Sequence, residues 1–166
     1  IGNFDGVHRG HQAMLALLNN EARHRGLRSV VMTFEPHPRD YFAQRSGHPE
    51  LAPRRIATLR DKLQELEACG VDEVVLLRFD DALASMTAQD FIEQVLVQRL
   101  RTRYVLVGDD FRFGARRAGD YALLDAQGAL LGFDVARMMS YEVHGLRSEE
   151  HTSELHSRLH LVCRLL

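Results

Sequence analysis

Two histidines three residues apart, His8 and His11, stand in the opening run IGNFDGVHRGHQAML. Gly2, Gly6 and Gly10 punctuate it, and apolar Met14, Leu15 and Leu18 follow at helical spacing. The pattern puts two imidazoles at the mouth of a helix, where unsatisfied N–H groups and a partial positive charge favour phosphate. Gly10 has no Cβ, so a phosphate or a base can approach the backbone there. When protonated, both imidazoles donate hydrogen bonds and could stabilise charge on a transferring phosphoryl group. Taken alone, the same residues also fit a glycine turn with one histidine capping the helix and the other on the surface. A zinc pair is disfavoured, because no Cys, His or Asp set completes it.

Two further stretches carry chemistry-bearing residues in unusual density: TFEPHP (33–38) and VGDDFRFGARRAGD (107–120). In the second, Phe111 and Phe113 alternate with Arg112, which offers an aromatic face on one side and a cation on the other. Arg116 and Arg117 add two cations. Asp109 and Asp110 fit a polar contact or an ordinary strand-end turn equally well.

The elements that must position these residues alternate. Residues 11–25 read as a helix stopped by Gly26, and 28–34 as a strand. Residues 35–53 contain all four prolines and read mostly as loop. Next come a helix over 55–70 ended by Gly70, a strand over 72–79, and a helix over 87–100 with Thr87 as N-cap and Asp90 three residues on. A strand over 103–111, a short helix after Tyr121 and a strand over 133–141 complete the series. The charged faces of 54–67 and 89–103 read as solvated helix surface. Strands alternating with helices predict an α/β fold, a parallel sheet with helices on both faces. Ligands in such sheets sit beyond the carboxyl ends of the strands. The turns after IGNFD, VVMTF and YVLVG all fall at that edge.

Composition narrows the classes. The 166 residues suit one domain, and an apolar share of 45% supplies a core. A net charge of −2 gives no electrostatic footprint for nucleic acid. No apolar run reaches the ~20 residues of a membrane span, and no stretch reads as a signal peptide. Cys69 and Cys163 form no zinc or CxxC pattern, so a reduced, cytoplasmic protein is expected.

GNFDGVHRGH, TFEPHP and VGDDFRFGARRAGD occur in this order, and over residues 1 to about 147 the chain resembles the FMN adenylyltransferase module of bacterial bifunctional riboflavin kinase/FMN adenylyltransferases. HxGH alone would point only to the wider nucleotidyltransferase superfamily. The resemblance implies a Rossmann-like nucleotidyltransferase fold and transfer of the adenylyl group of ATP to FMN, giving FAD and pyrophosphate with Mg2+. It implies that His8 and His11 bind the ATP phosphates and stabilise the transferring group. Asn3, Phe4, Asp5 and Gly6 would shape the nucleotide pocket with Gly10, Gly108, Asp110 and Arg116. Phe34, Pro36 and Pro38, with Phe111 and Phe113, would form a flavin pocket of rigid apolar surface. No metal ligand is assigned. The readings left beside this one are a flavin- or nucleotide-binding module without activity and another HxGH adenylyltransferase.

The chain departs from the family pattern in three places. The family has a central strand before GNFDG, here reduced to Ile1, so the first strand is expected to be truncated and the fragment weakly active or inactive. After HGLR the family continues with a Ser-Ser-Thr-x-x-Arg type motif that grips ATP phosphates, whereas this chain reads SEEHTSELHSRLHLVCRLL (148–166). RSEEHTSEL is the codon-by-codon translation of AGA TCG GAA GAG CAC ACG TCT GAA CTC, a sequencing-library adapter. Residues 148–166 are therefore expected to be a non-native tail, an adapter artefact that carries no weight in predicting the fold. A riboflavin kinase module is expected in the full-length protein and is not contained in these residues.

Overall fold

The computed structural model describes residues 1–55, 57–108 and 111–138, and the backbone of 162–165. Of the apolar positions Met14, Leu15, Leu17, Leu18 and Ala22, helix α1 (Arg9–Arg25) buries all but Leu17, which is exposed. It starts two residues earlier than its apolar pattern, because the His8 ring caps it by accepting the Gly10 N–H. Gly26 ends it at φ 64°, and the Gly26 N–H returns to the carbonyls of Ala22 and Arg23.

Strand β1 (Ser29–Glu35) lies parallel to β2 (Glu73–Arg78), with α3 (Leu59–Ala68) between them in sequence. Thr58 and Asp61 close a reciprocal capping box at the start of α3. The short α4 (Asp81–Ser85) precedes a helical stretch capped by Thr87, whose hydroxyl accepts the Asp90 N–H. That stretch begins as α5 (Ala88–Asp90) and continues as a π-helix (Phe91–Arg99). Strand β3 (Tyr104–Gly108) follows, and α6 (Tyr121–Leu131) leads to β4 (Asp134–Met138), which is parallel to β3.

Residues Ser29 to Thr33 of β1 are all buried, as expected of a strand covered on both sides. Met32 faces Ile92, Leu96, Val105, Val107 and Leu124. Val31 faces Leu15, Leu18 and Leu66, on the α1 and α3 side. The sheet is thus layered between helices, and the α/β expectation holds.

Two expectations need correction. The proline-rich stretch read as mostly loop contains α2 (Pro38–Arg45) and a 3-10 turn (Pro49–Leu51). Pro38 sits in the first turn, where a missing N–H costs nothing, and His37 caps the Arg39 N–H. Only Asp40 and Ala43 of α2 are buried, so no apolar stripe announces it. The second correction concerns the tail set aside at the sequence level. Its residues Val162–Leu165 form β5, inserted antiparallel between β1 and β3 in the order β2-β1-β5-β3-β4. Ser29 to Val31 pair with Leu165 to Cys163, and the Gly2 N–H then bonds the Met32 carbonyl at 2.9 Å. The sheet is therefore mixed, not purely parallel as expected. Backbone pairing is blind to side-chain identity, so it bears on the sheet and not on the origin of the segment.

Candidate functional site

The opening turn is built from hydrogen bonds that the sequence does not advertise. Phe4 takes φ 46° and points into the core at 1% exposure, so it supports the site instead of lining a nucleotide pocket. Its ring centroid lies 5.2 Å from that of His11. The Asp5 carboxylate accepts the Ala57 N–H at 3.2 Å. The Val7 N–H donates to Glu65 at 2.8 Å, which ties the turn to α3. Gly6 takes φ 76°, and its carbonyl accepts the His8 N–H at 3.0 Å and faces the His11 Nδ1 at 2.9 Å.

The ring centroids of His8 and His11 lie 3.7 Å apart, with the planes tilted by 30°. Their tautomers follow from their partners. His8 Nδ1 accepts the Gly10 N–H at 3.2 Å, so neutral His8 carries its proton on Nε2. His11 Nδ1 faces a carbonyl and must donate, so neutral His11 keeps a lone pair on Nε2. Burial lowers the His8 pKa. It lowers that of His11 to about 4, with the charge of His8 adding to the effect and the Gly6 bond opposing it. Two protonated donors are therefore not the resting state at neutral pH. One imidazole presents an N–H, and its neighbour presents a site that can take up a proton. The first turn of α1 holds no acidic residue to compete with an anion at its positive end. Gly10 lies inside the helix, and its N–H is already used by His8.

The His11 shift has a consequence for stability. Between pH about 4 and 6.5 the unfolded chain binds this proton and the folded chain does not, so stability rises with pH across that window. Unfolding at pH 7 and pH 4.5 should show a loss on acidification of at most roughly 3 kcal/mol from this residue. His11→Gln should flatten that slope. An unchanged slope in the variant would assign the acid sensitivity elsewhere.

On the other face of the same sheet edge lies a cleft of about 470 Å³. Phe34, Pro38, Phe111 and Phe113, four of the five residues named for the flavin pocket, line it together with Arg116. Phe111 and Phe113 stack at 5.1 Å. Pro36, joined to Glu35 by a cis bond, does not line the cleft, and Gly108 is the buried last residue of β3. Asp110 falls outside the described residues. The sequence reading missed Phe42 and Phe79, whose rings meet at 5.7 Å in the cleft wall, together with Phe91 and Arg39. Ile1, Gly2 and Asn3 also line the cleft, so the chain runs directly from it into the histidine turn.

A Rossmann-like α/β core with no acidic residue in the first turn of α1, and an aromatic cleft at one strand edge, fits the nucleotidyltransferase class of fold. The family model for FAD synthetase matches residues 1–151, and the chain belongs to that family. It is 49% identical over 147 residues to the bifunctional riboflavin kinase/FMN adenylyltransferase of Escherichia coli K12, covering 89% of this chain and 45% of that protein. The same-named protein of Pseudomonas fluorescens is 44% identical with the same coverage. Among solved structures, one described as a macrolide-efflux protein from Streptococcus pneumoniae matches with TM-score 0.70 and 31% identity, over 87% of this chain and 46% of that one. The chain spans about half the length of the curated relatives it matches.

Proposed function

We propose that this chain is the adenylyl-transferring part of such an enzyme. An oxygen of the FMN phosphate attacks the α-phosphorus of ATP in line, a new phosphoanhydride bond forms, and the bond from the α-phosphorus to the oxygen bridging it to the β-phosphate breaks. FAD and pyrophosphate result. The attacking phosphate is already ionised near neutral pH, so the reaction needs positioning and charge neutralisation more than a general base. The observation that carries this reading is the meeting, at residues 1–6, of an aromatic cleft and a histidine-bearing helix mouth.

The residues divide the work. The aromatic wall of Phe34, Phe111 and Phe113, with Pro38, holds the flavin ring and excludes water. Arg116 and Arg117, on the same cleft, supply charge for phosphate oxygens. His8 donates through Nε2 to the ATP phosphates. His11 Nε2, unprotonated in the free protein, takes up a proton when polyphosphate arrives, because nearby negative charge favours the imidazolium. Magnesium enters as part of the nucleotide, since it binds substrate phosphates with few protein ligands, and none is assigned to it here.

A second reading, a domain that binds flavin and nucleotide without turnover, is favoured by SEEHTSELH standing where the family carries its phosphate-gripping motif. In keeping with that departure, residues 148–166 are proposed to be adapter-derived. Assay of FAD formation with and without the family's flanking segments separates the two readings. Sequencing the source locus decides the origin of the tail.

A further inference from the structure

Lys62 is the wrong residue for stability where it stands. It lies one turn into α3, near the helix's positive end, and is only 6% exposed. Its ammonium makes one hydrogen bond, to the Thr33 hydroxyl at 3.5 Å, and among the described residues no carboxylate is within ion-pair reach. The two carboxylates that act on it have other partners. Glu35 is held by Arg55 at 2.9 Å, and Asp5 accepts the Ala57 N–H. Burial accordingly lowers the Lys62 pKa, against the attraction of Glu35 and Asp5. A hydrophobic side chain of similar volume would remove a buried charge at little or no loss of stability.

What the lysine touches explains its presence. The fully buried Thr33 hydroxyl accepts from Lys62 and donates to the Asn3 carbonyl at 3.3 Å. An ammonium, a hydroxyl and a carbonyl in series polarise one another in a single direction. The chain ends on the residue before Phe4, in the turn whose Gly6 carbonyl orients His11. We propose that Lys62, acting through Thr33, is a positioning residue that fixes the Asn3–Gly6 turn and thereby the His8–His11 pair. This rests on the adenylyl-transfer reading for its catalytic consequence only.

The test uses Lys62→Met, Thr33→Val and Thr33→Ser. Valine keeps the shape of threonine without the hydroxyl, and serine keeps the hydroxyl. Nitrogen NMR of His11 reads whether its proton stays on Nδ1, independent of activity. Lys62→Met and Thr33→Val should both disturb that preference, Thr33→Ser should not, and the double variant Lys62→Met/Thr33→Val should be no worse than either single. Lys62→Met should melt at or above the wild-type temperature. Where FAD formation is measurable, kcat should fall about 10- to 100-fold in the two disruptive variants with the KM for FMN unchanged. An undisturbed His11 in Lys62→Met, or a Thr33→Ser effect as large as that of Thr33→Val, would overturn the proposal. A lower melting temperature for Lys62→Met with His11 unmoved would make it an ordinary structural residue and overturn it equally. A wild-type chain without FAD synthesis, even when extended by the family's flanking segments, but with the His11 response intact, would remove the functional reading and leave the positioning role standing.

Discussion

Replacing His11 by alanine, in a version of this chain extended by the family's upstream strand and downstream motif, is expected to lower kcat for FAD formation about 10²–10³-fold, the scale of losing one preorganised charge stabiliser. FMN affinity should stay within about threefold of wild type. The reason is spatial. His11 sits on the α1 side of the sheet, in ring contact with His8 and bonded to Gly6. The aromatic cleft lies on the opposite face, among Phe34, Phe111 and Phe113. His8→Ala should behave alike, because the Nε2–H it would donate has no substitute in the turn. Rate measurements at saturating ATP, with FMN binding followed by flavin fluorescence, separate the two quantities. Lost FMN binding with normal turnover would count against the phosphate role of both histidines.

The second large effect is expected at Gly114. Its φ of 73° and ψ of 172° belong to a region open essentially to glycine alone. An added Cβ would lie 2.6 Å from the backbone nitrogen of Ala88 and 2.7 Å from its Cα, atoms that cannot swing away. Gly114→Ala should therefore cost about 3–5 kcal/mol, combining backbone strain and overpacking. It should also open the cleft, because Gly114 lies in the loop that the pairing of Phe113 with Gly119 closes. Gly26→Ala is the control. That glycine also has positive φ, but nothing lies within 4 Å of the added carbon, so only the left-handed backbone penalty of about 1 kcal/mol is expected. Chemical denaturation of both variants checks the contrast. Equal losses would show that the Ala88 contact does not decide the loop's conformation.

Glycine, proline and histidine mark local geometry, and local geometry is what a motif records. For the same reason GNFDGVHRGH could be placed at a helix mouth and TFEPHP beside it. What escaped depends on distant pairing. Phe42 and Phe79 are isolated aromatics in the sequence, and they meet only because β1 and β2 pair in register, Glu35 opposite Arg78. Lys62 escaped for a different reason. The charged face of its helix reads as solvated, and nothing local distinguishes one buried cation from its exposed neighbours Arg60 and Asp61. The protonation state of the histidine pair could not be read from the sequence, because desolvation and the close approach of the two rings belong to the folded site, not to the residue type. Strand β5 shows the limit of composition. Its segment looks foreign to the chain, yet an open pair of strand edges accepts any extended backbone.

The most direct measurement of the proposed activity is FAD formation from FMN and ATP with Mg2+, run on this chain and on one carrying the family's upstream strand and phosphate-gripping motif. The extended chain should produce FAD and pyrophosphate in equal amounts, and this chain little or none. An extended chain that folds and binds FMN but yields no FAD would contradict adenylyl transfer as the function of this domain.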